Sequence, residues 1–183
     1  MTWESVVLDG YLRRTIDLGV DPDGEGVITA TLVRPEIQPD TGRAVLMVHG
    51  YTDYFFHTEL AEHFLARGYR FFALDLRKCG RSRREHQTPH YISDLSLYDA
   101  ELDAAVNIIN GETVGTPLLV YGHSAGGLIV SLWLNRLRVT NSQRHIAGLV
   151  LNSPWLDLQG RPLLRSGGTT AAVKAISRFR AKQ

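Results

Sequence analysis

Leu118-Leu119-Val120-Tyr121-Gly122-His123-Ser124-Ala125-Gly126 is the stretch on which the reading of this 183-residue chain turns. Residues 118–121 carry the apolar signal of a strand, and Leu128, Ile129, Leu132 and Leu137 then recur at helical spacing. Between the two, G-x-S-x-G occupies positions 122–126. A serine forced through a sharp strand-to-helix turn has a strained backbone, and glycines two before and two after it remove side chains that would clash. The hydroxyl then stands clear of the main chain, at a helix N-terminus whose positive end favours a developing oxyanion. Ser124 is therefore the candidate nucleophile. The plain alternative is a non-catalytic serine in a tight glycine turn.

Working outward, Ala44-Val45-Leu46-Met47-Val48 is a continuous apolar run, as expected for a strand buried on both faces of a parallel sheet. It ends in His49-Gly50-Tyr51-Thr52, a loop that reaches the same sheet edge as Ser124. An oxyanion hole needs two converging N–H donors. The N–H of Ala125 supplies one, and the N–H of Tyr51 is the expected second. A helix is predicted over 57–67, with Leu60, Phe64 and Leu65 on one face and a stop at Gly68. Further elements are predicted as a strand at 69–76, a helix at 94–110, a helix at 124–138 and a strand at 146–152. Strands alternating with helices predict an α/β fold, a mostly parallel doubly wound sheet. Ahead of it, segments 11–18 and 27–33 flank Asp21-Pro22-Asp23-Gly24 and predict an antiparallel hairpin at a sheet edge, with Val27, Thr29, Thr31 and Val33 on one face.

Composition narrows the function classes. Hydrophobic residues make up 44% and charged residues 21%, ordinary values for a globular domain. The single cysteine, Cys79, cannot form an intrachain disulfide and reads as a small filler in a turn, which fits a reducing compartment. No run approaches the ~18 apolar residues of a membrane span. The first residues also lack the basic and apolar segments of a secretion signal. The expected location is cytoplasmic, with peripheral lipid contact left open. No metal-ligand cluster, phosphate-binding glycine loop or nucleic-acid motif competes, so no metal, cofactor or nucleic-acid partner is expected. Oligomeric state is not legible.

Four segments in fixed order, H-G-Y-T at 49–52, D-x-R-x-x-G-x-S at 75–82, G-H-S-A-G at 122–126 and N-S-P-W at 152–155, resemble the lysophospholipase, monoacylglycerol lipase and serine aminopeptidase group of α/β-hydrolases. The resemblance covers roughly residues 25–160. It implies a serine hydrolase of carboxylic esters such as monoacylglycerols or lysophospholipids, with a small-molecule ester or lipid as substrate. It implies Ser124 as nucleophile, His49, Gly50, Gly122 and Gly126 as supports of the elbow and oxyanion loop, and Asp75 and Ser82 as braces that do not react. Residues 1–160 would form the N-terminal part of the hydrolase core, and 161–183 the start of a lid region.

The rest of the triad does not follow. The group's chain order is Ser, then Asp or Glu, then His. After Ser124 this sequence holds one carboxylate, Asp157, and one histidine, His145, in the reverse order. His145 precedes a strand and so falls at the opposite end of the sheet from the elbow. His123 diverges from Ser124 on a sharp turn, and His49 is assigned to shaping the oxyanion loop. His57, His63, His86 and His90 read as solvated helix or loop residues, with His57 near enough to line a pocket mouth. The expectation drawn from this is a truncated hydrolase with weak activity. Charge agrees: there are 11 basic and 18 acidic residues up to Ser124, then nine basic and one acidic. A rival reading is a non-catalytic module that binds a partner or lipid surface. It would use the unpaired edge of the 146–152 strand and a short basic helix from about 169, carrying Lys174, Arg178, Arg180 and Lys182. Acyltransferase or peptidase chemistry on the same fold is the third.

Overall fold

The computed structural model describes residues 2–113, 117–140 and 146–156. Among these, seven strands form one sheet: β1 (Glu4–Ser5), β2 (Tyr11–Val20), β3 (Val27–Pro35), β4 (Ala44–Val48), β5 (Arg70–Asp75), β6 (Leu118–His123) and β7 (Ile146–Asn152). The α-helices are α1 (Thr58–Leu65), α2 (Asp99–Glu112) and α3 (Ala125–Val139). The spatial order is β1-β2-β3-β5-β4-β6-β7. β1, β2, β3 and β5 pair antiparallel, whereas β5, β4, β6 and β7 pair parallel. The α/β architecture predicted from strand–helix alternation is the one observed, with the N-terminal hairpin extending one side of a parallel half.

Alternation along β4 explains why the parallel half carries helices on both faces. Ala44, Leu46 and Val48 join a cluster with Leu102, Val106 and Ile109 of α2 and Ile129, Val130 and Trp133 of α3. Val45 and Met47 turn the other way, toward Ala61 of α1 and the rings of Phe55 and Phe71. Every residue of β4 is buried, which a continuous apolar run permits. Trp133 is fully buried, and its indole N–H donates to Asp103 Oδ1 at 3.1 Å, so its polar atom is not left unpaired.

Several details differ from the sequence reading. The helix expected over 94–110 starts as a 3₁₀ turn, Leu95–Tyr98, and becomes α-helical only at Asp99. Asp94 Oδ1 accepts the N–H of Ser96 at 2.8 Å and tightens that first turn. The strand expected over 11–18 continues to Val20 through an irregularity after Asp17, where Gly19 takes φ +76°. β3 buries both faces, a point the alternation left open: Ala30 and Leu32 enter the α2–α3 cluster, and Val33 enters the α1 cluster. The cause is the packing on each face of the sheet: one cluster contains α2 and α3 residues and the other Ala61 of α1 with the rings of Phe55 and Phe71. The proposed basic helix from residue 169, together with Asp157 and His145, lies outside the described residues.

The topology creates one crevice. β4 hands the chain through α1 to β5 on one side, while β6 hands it through α3 to β7 on the other side. α1 and α3 lie on opposite faces. Adjacent parallel strands whose loops diverge in this way open a cleft at their carboxyl ends, where ligands of such sheets bind. His49 follows β4 and Ser124 follows β6, so both stand at that cleft.

Candidate active site

Ser124 has φ +51° and ψ −120°, a backbone region that costs a non-glycine residue about 1–3 kcal/mol. Three main-chain bonds hold it there. Its N–H donates to the carbonyl of Asn152, and its own carbonyl accepts from the N–H groups of Gly127 and Trp155, each at 3.0 Å. Pro154 presses on the start of α3: a Cβ placed on Gly127 would come within 2.8 Å of the proline Cβ. N-S-P-W at 152–155 is therefore a clamp on the elbow. Nothing local in that motif reveals this. The β6–β7 register, with His123 opposite Asn152, brings the two segments together.

The glycines of the elbow are close-packing residues. A Cβ at Gly122 would lie 2.7 Å from Gly127 Cα. One at Gly126 would lie 2.3 Å from the His49 carbonyl oxygen and 2.5 Å from that of Val48. α3 can thus begin directly against the end of β4. At Gly50 a Cβ would meet Ser124 Cβ at 3.1 Å, so the 49–52 loop runs alongside the serine.

His49 is 1% exposed, and both ring nitrogens are engaged. Nδ1–H donates to the Gly50 carbonyl at 2.7 Å, and Nε2 accepts the N–H of Leu76 at 3.1 Å. Burial holds its pKa below the ordinary imidazole value, so the ring is neutral and acts as a post between β4 and β5. Ala125 is the first residue of α3, and its N–H has no acceptor within the helix. Tyr51 and Ala125 both line a cavity of about 400 Å³ on the α2–α3 side. His123 lines a separate cleft on the α1 side with His57 and His63, so the elbow does separate neighbouring side chains. Ser124, itself half-buried, lies in the chain between His123 and Ala125, each of which lines one of the two. Among the described residues no imidazole or carboxylate hydrogen-bonds to Ser124 Oγ; His49, His63, His86 and His90 have other partners.

The loop after β5 walls the cavity and is held by buried charge. Asp75 Oδ1 accepts the N–H of Phe55 at 2.8 Å, while Oδ2 pairs with Arg81 Nη1 at 2.8 Å. Ser82 Oγ donates to the Asp75 carbonyl at 2.8 Å, also within reach of Thr31 Oγ1 at 3.0 Å. Asp75 and Ser82 brace the loop, as the resemblance implies. Arg77 grips Glu101 of α2 through Nε at 3.0 Å to both carboxylate oxygens and donates to the Leu97 carbonyl at 2.7 Å. Burial pushes the Glu101 pKa up, against the pull of Arg77. Asp75→Ala should lower stability by about 3 kcal/mol, seen as a lower urea midpoint, because it leaves a partly buried guanidinium and the Phe55 N–H without their acceptor. A loss below 1 kcal/mol would mean that the brace is dispensable.

His90 is misplaced by the sequence reading. Instead of a solvated loop residue it is half-buried in the cavity wall, with its ring edge-on to Tyr51 at 5.7 Å between centroids. Its only advance signal is its place in a Pro-containing loop after the Asp75 segment, which does not specify direction. Cys79 also lines the cavity and is 3% exposed, a filler in a turn but one that touches the site.

Residues 39–182 match the family described as serine aminopeptidase, S33. The chain belongs to that family. Over 116 residues it is 29% identical to phospholipase YtpA of Bacillus subtilis (strain 168), covering 63% of this chain and 41% of that protein. Solved structures similar to it include the α/β-hydrolase GrgF from Penicillium sp. sh18 (TM-score 0.56, 20% identity, 91% of this chain and 55% of that one). A cold-adapted esterase from an Arctic intertidal metagenomic library is similar as well (TM-score 0.51, 22% identity, 82% and 65%). These likenesses place the S33-family chain in the α/β-hydrolase fold. It spans less than two thirds of the length of each of these relatives. Among the described residues no helix is long and apolar enough to cross a membrane, and no group of three His, Cys, Asp or Glu side chains is placed to hold a metal ion.

Proposed function

We propose that Ser124 is the nucleophile of a carboxylic ester hydrolase whose substrates are small acyl esters or lipids. Ser124 Oγ attacks the acyl carbonyl, and the N–H groups of Tyr51 and Ala125 receive the oxyanion. The alcohol then departs, and water releases the acid from the acyl-serine. One observation carries this reading: a serine held at positive φ by bonds to Asn152, Gly127 and Trp155, its hydroxyl bonded by no described residue, next to Ala125 in the wall of the cavity that Tyr51 also lines. The proton that Oγ gives up on attack, and that the departing alcohol takes, needs an imidazole oriented by a carboxylate to carry it, and no described residue bonds to Oγ in that role. The 183-residue chain alone should therefore turn over p-nitrophenyl butyrate slowly, keeping at most the ~10³–10⁴-fold over water that oxyanion donors and binding supply. Rates in the ordinary enzyme range would contradict the expected weakness.

A fluorophosphonate probe tests the nucleophile itself. Labelling should map to Ser124 by mass spectrometry and vanish in Ser124→Ala. Label that persists in the variant, or that resides on another residue, rules the reading out. Transfer to other acyl acceptors, or to peptide bonds, stays within the same chemistry, because fold does not choose the acceptor.

A second reading is favoured by β7. Its described neighbour is β6 alone, and Leu149, Val150 and Leu151 are each 36–38% exposed. Such an edge accepts a partner strand, so the chain would act as a binding module, with a lipid surface as a further candidate partner. A chain that stays monomeric at high concentration, ignores vesicles and labels at Ser124 excludes it.

A further inference from the structure

The cavity beside Ser124 is apolar over most of its wall, through Leu76, Ile92, Leu95, Leu128 and Ile129. His90 interrupts that wall. It adopts φ +59°, its main-chain N–H donates to the Lys78 carbonyl at 3.1 Å, and its Nδ1 lies 3.3 Å from Cys79 Sγ. The protonation of Cys79 bears on which ring nitrogen carries the proton. Burial, then the carboxylates of Asp75, Glu101 and Asp53, push its thiol up to about 12, so sulfur keeps its hydrogen at neutral pH. A protonated thiol can donate to a neutral imidazole nitrogen, and the tautomer with its proton on Nε2 is the one that receives it. Nδ1 is then the acceptor, and the His90 proton sits on Nε2. Burial, with His49 and Arg83 nearby, lowers the pKa of the ring and keeps it neutral at pH 7. No described residue bonds to Nε2. A neutral N–H donor is left for whatever fills the cavity.

We infer that His90 is a specificity-determining residue whose Nε2–H recognises an oxygen on the acyl chain close to the ester carbonyl, as in 3-hydroxyacyl and 3-oxoacyl esters. The inference rests on the Ser124 reading, which puts the ester carbonyl at the Tyr51 N–H. Tyr51 links the two: it lines the same cavity of about 400 Å³ as His90, and its ring lies edge-on to His90 at 5.7 Å between centroids, so the group next to a carbonyl held at the Tyr51 N–H enters the space that His90 lines. A plain acyl chain in the same place leaves the donor unpaired in an apolar wall, and that asymmetry produces discrimination. Cys79 is the positioning residue, because its S–H fixes the ring and its tautomer.

The test compares binding of methyl hexanoate and methyl 3-hydroxyhexanoate to the Ser124→Ala chain, where turnover does not interfere, with imidazole resonances followed by NMR. The hydroxy ester should bind roughly threefold to tenfold tighter, the worth of one net hydrogen bond, and should shift the His90 Nε2 resonance. His90→Phe should bring the ratio to about one. Cys79→Ala should lower it, and Cys79→Ser should restore it through an O–H donor. If His90→Phe does not fold, the cysteine pair and the His90 resonance decide. Equal affinity for the two esters, no detectable binding of either, or a preference that survives His90→Phe overturns the assignment. Labelling of Ser124 by the fluorophosphonate is read separately in the unsubstituted chain. Equal ester affinity with labelling intact removes His90 alone, whereas lost labelling with the preference kept removes the nucleophile and leaves the donor.

Discussion

Gly126→Ala should cost the chain about 3 kcal/mol and slow fluorophosphonate labelling of Ser124 roughly 100-fold. The added methyl would stand 2.3 Å from the His49 carbonyl oxygen and 2.5 Å from that of Val48. Both are main-chain atoms of buried residues, so no rotamer change relieves the clash. α3 must move off the end of β4. Ala125 and Tyr51 sit on opposite sides of that contact, and a shift of about 1 Å between their N–H groups is enough for a loss of this size. Gly111→Ala serves as the internal control. Gly111 lies in α2 with nothing within 4 Å of its added Cβ, and alanine there should stabilise by about 0.5–1 kcal/mol through helix propensity. Urea unfolding and labelling kinetics on both variants give the comparison. Equal behaviour of the two would mean that the α3–β4 contact does not set the elbow.

Lys78→Met should cost about 3–5 kcal/mol at pH 7, the usual effect of stranding a buried charge. The Lys78 and Asp21 side chains are both 0% exposed, with Nζ 2.6 Å from Asp21 Oδ2 and 2.9 Å from Glu25 Oε2. Residue 78 has φ +59°, a strain that methionine shares with lysine, so the substitution isolates the charge. The pH dependence follows from the direction of each shift. Burial pushes the Asp21 pKa up from 3.8, but Lys78 and the N–H groups of Asp23 and Glu25 outweigh it and the net shift is downward. For Glu25 the Thr88 hydroxyl is the largest cause, with Lys78 adding to it, and the shift from 4.5 is again downward. Burial lowers the Lys78 pKa from 10.5, and the two carboxylates more than reverse this. The carboxylate contribution is therefore present above their unfolded values and lost as pH falls through the folded ones. The lysine contribution is complete below its unfolded value and lost only as pH rises through its raised folded value. In Lys78→Met the penalty should shrink below about pH 4, where protonation discharges the stranded carboxylates. An equal penalty at pH 7 and pH 4 would assign it to packing and not to charge. The variant should also loosen the cavity wall, because the Lys78 carbonyl holds His90 and Glu25 holds Thr88.

Local signals were strong wherever one strand or one turn contained the whole cause. β4 and β7 fall where their apolar runs begin and end, and Gly68 stops its helix region with φ +73°. The elbow is legible because its requirement, glycine on both sides of a serine at a strand–helix junction, is itself local. The signal failed where the cause lay far along the chain. The Lys78, Asp21 and Glu25 cluster joins segments more than 50 residues apart, and no spacing rule connects them. β3 has a two-sided core because the α2–α3 cluster and the α1 cluster pack on its opposite faces, and even over 11 or 12 residues no local rule turns His90 inward onto Cys79 and Lys78.

From sequence alone came the α/β class, the order of elements, Ser124 as the reactive candidate and the 49–52 loop as its companion. Each depends on periodicity or on steric demands within a few bonds. Tertiary structure decided what holds and surrounds that serine: the clamp from Asn152, Pro154 and Trp155, the approach of α3 to β4 that Gly126 permits, and the imidazole in the cavity wall. Those contacts follow from strand order and register. They become fixed only when the sheet assembles, because each joins atoms that the chain itself leaves tens of residues apart.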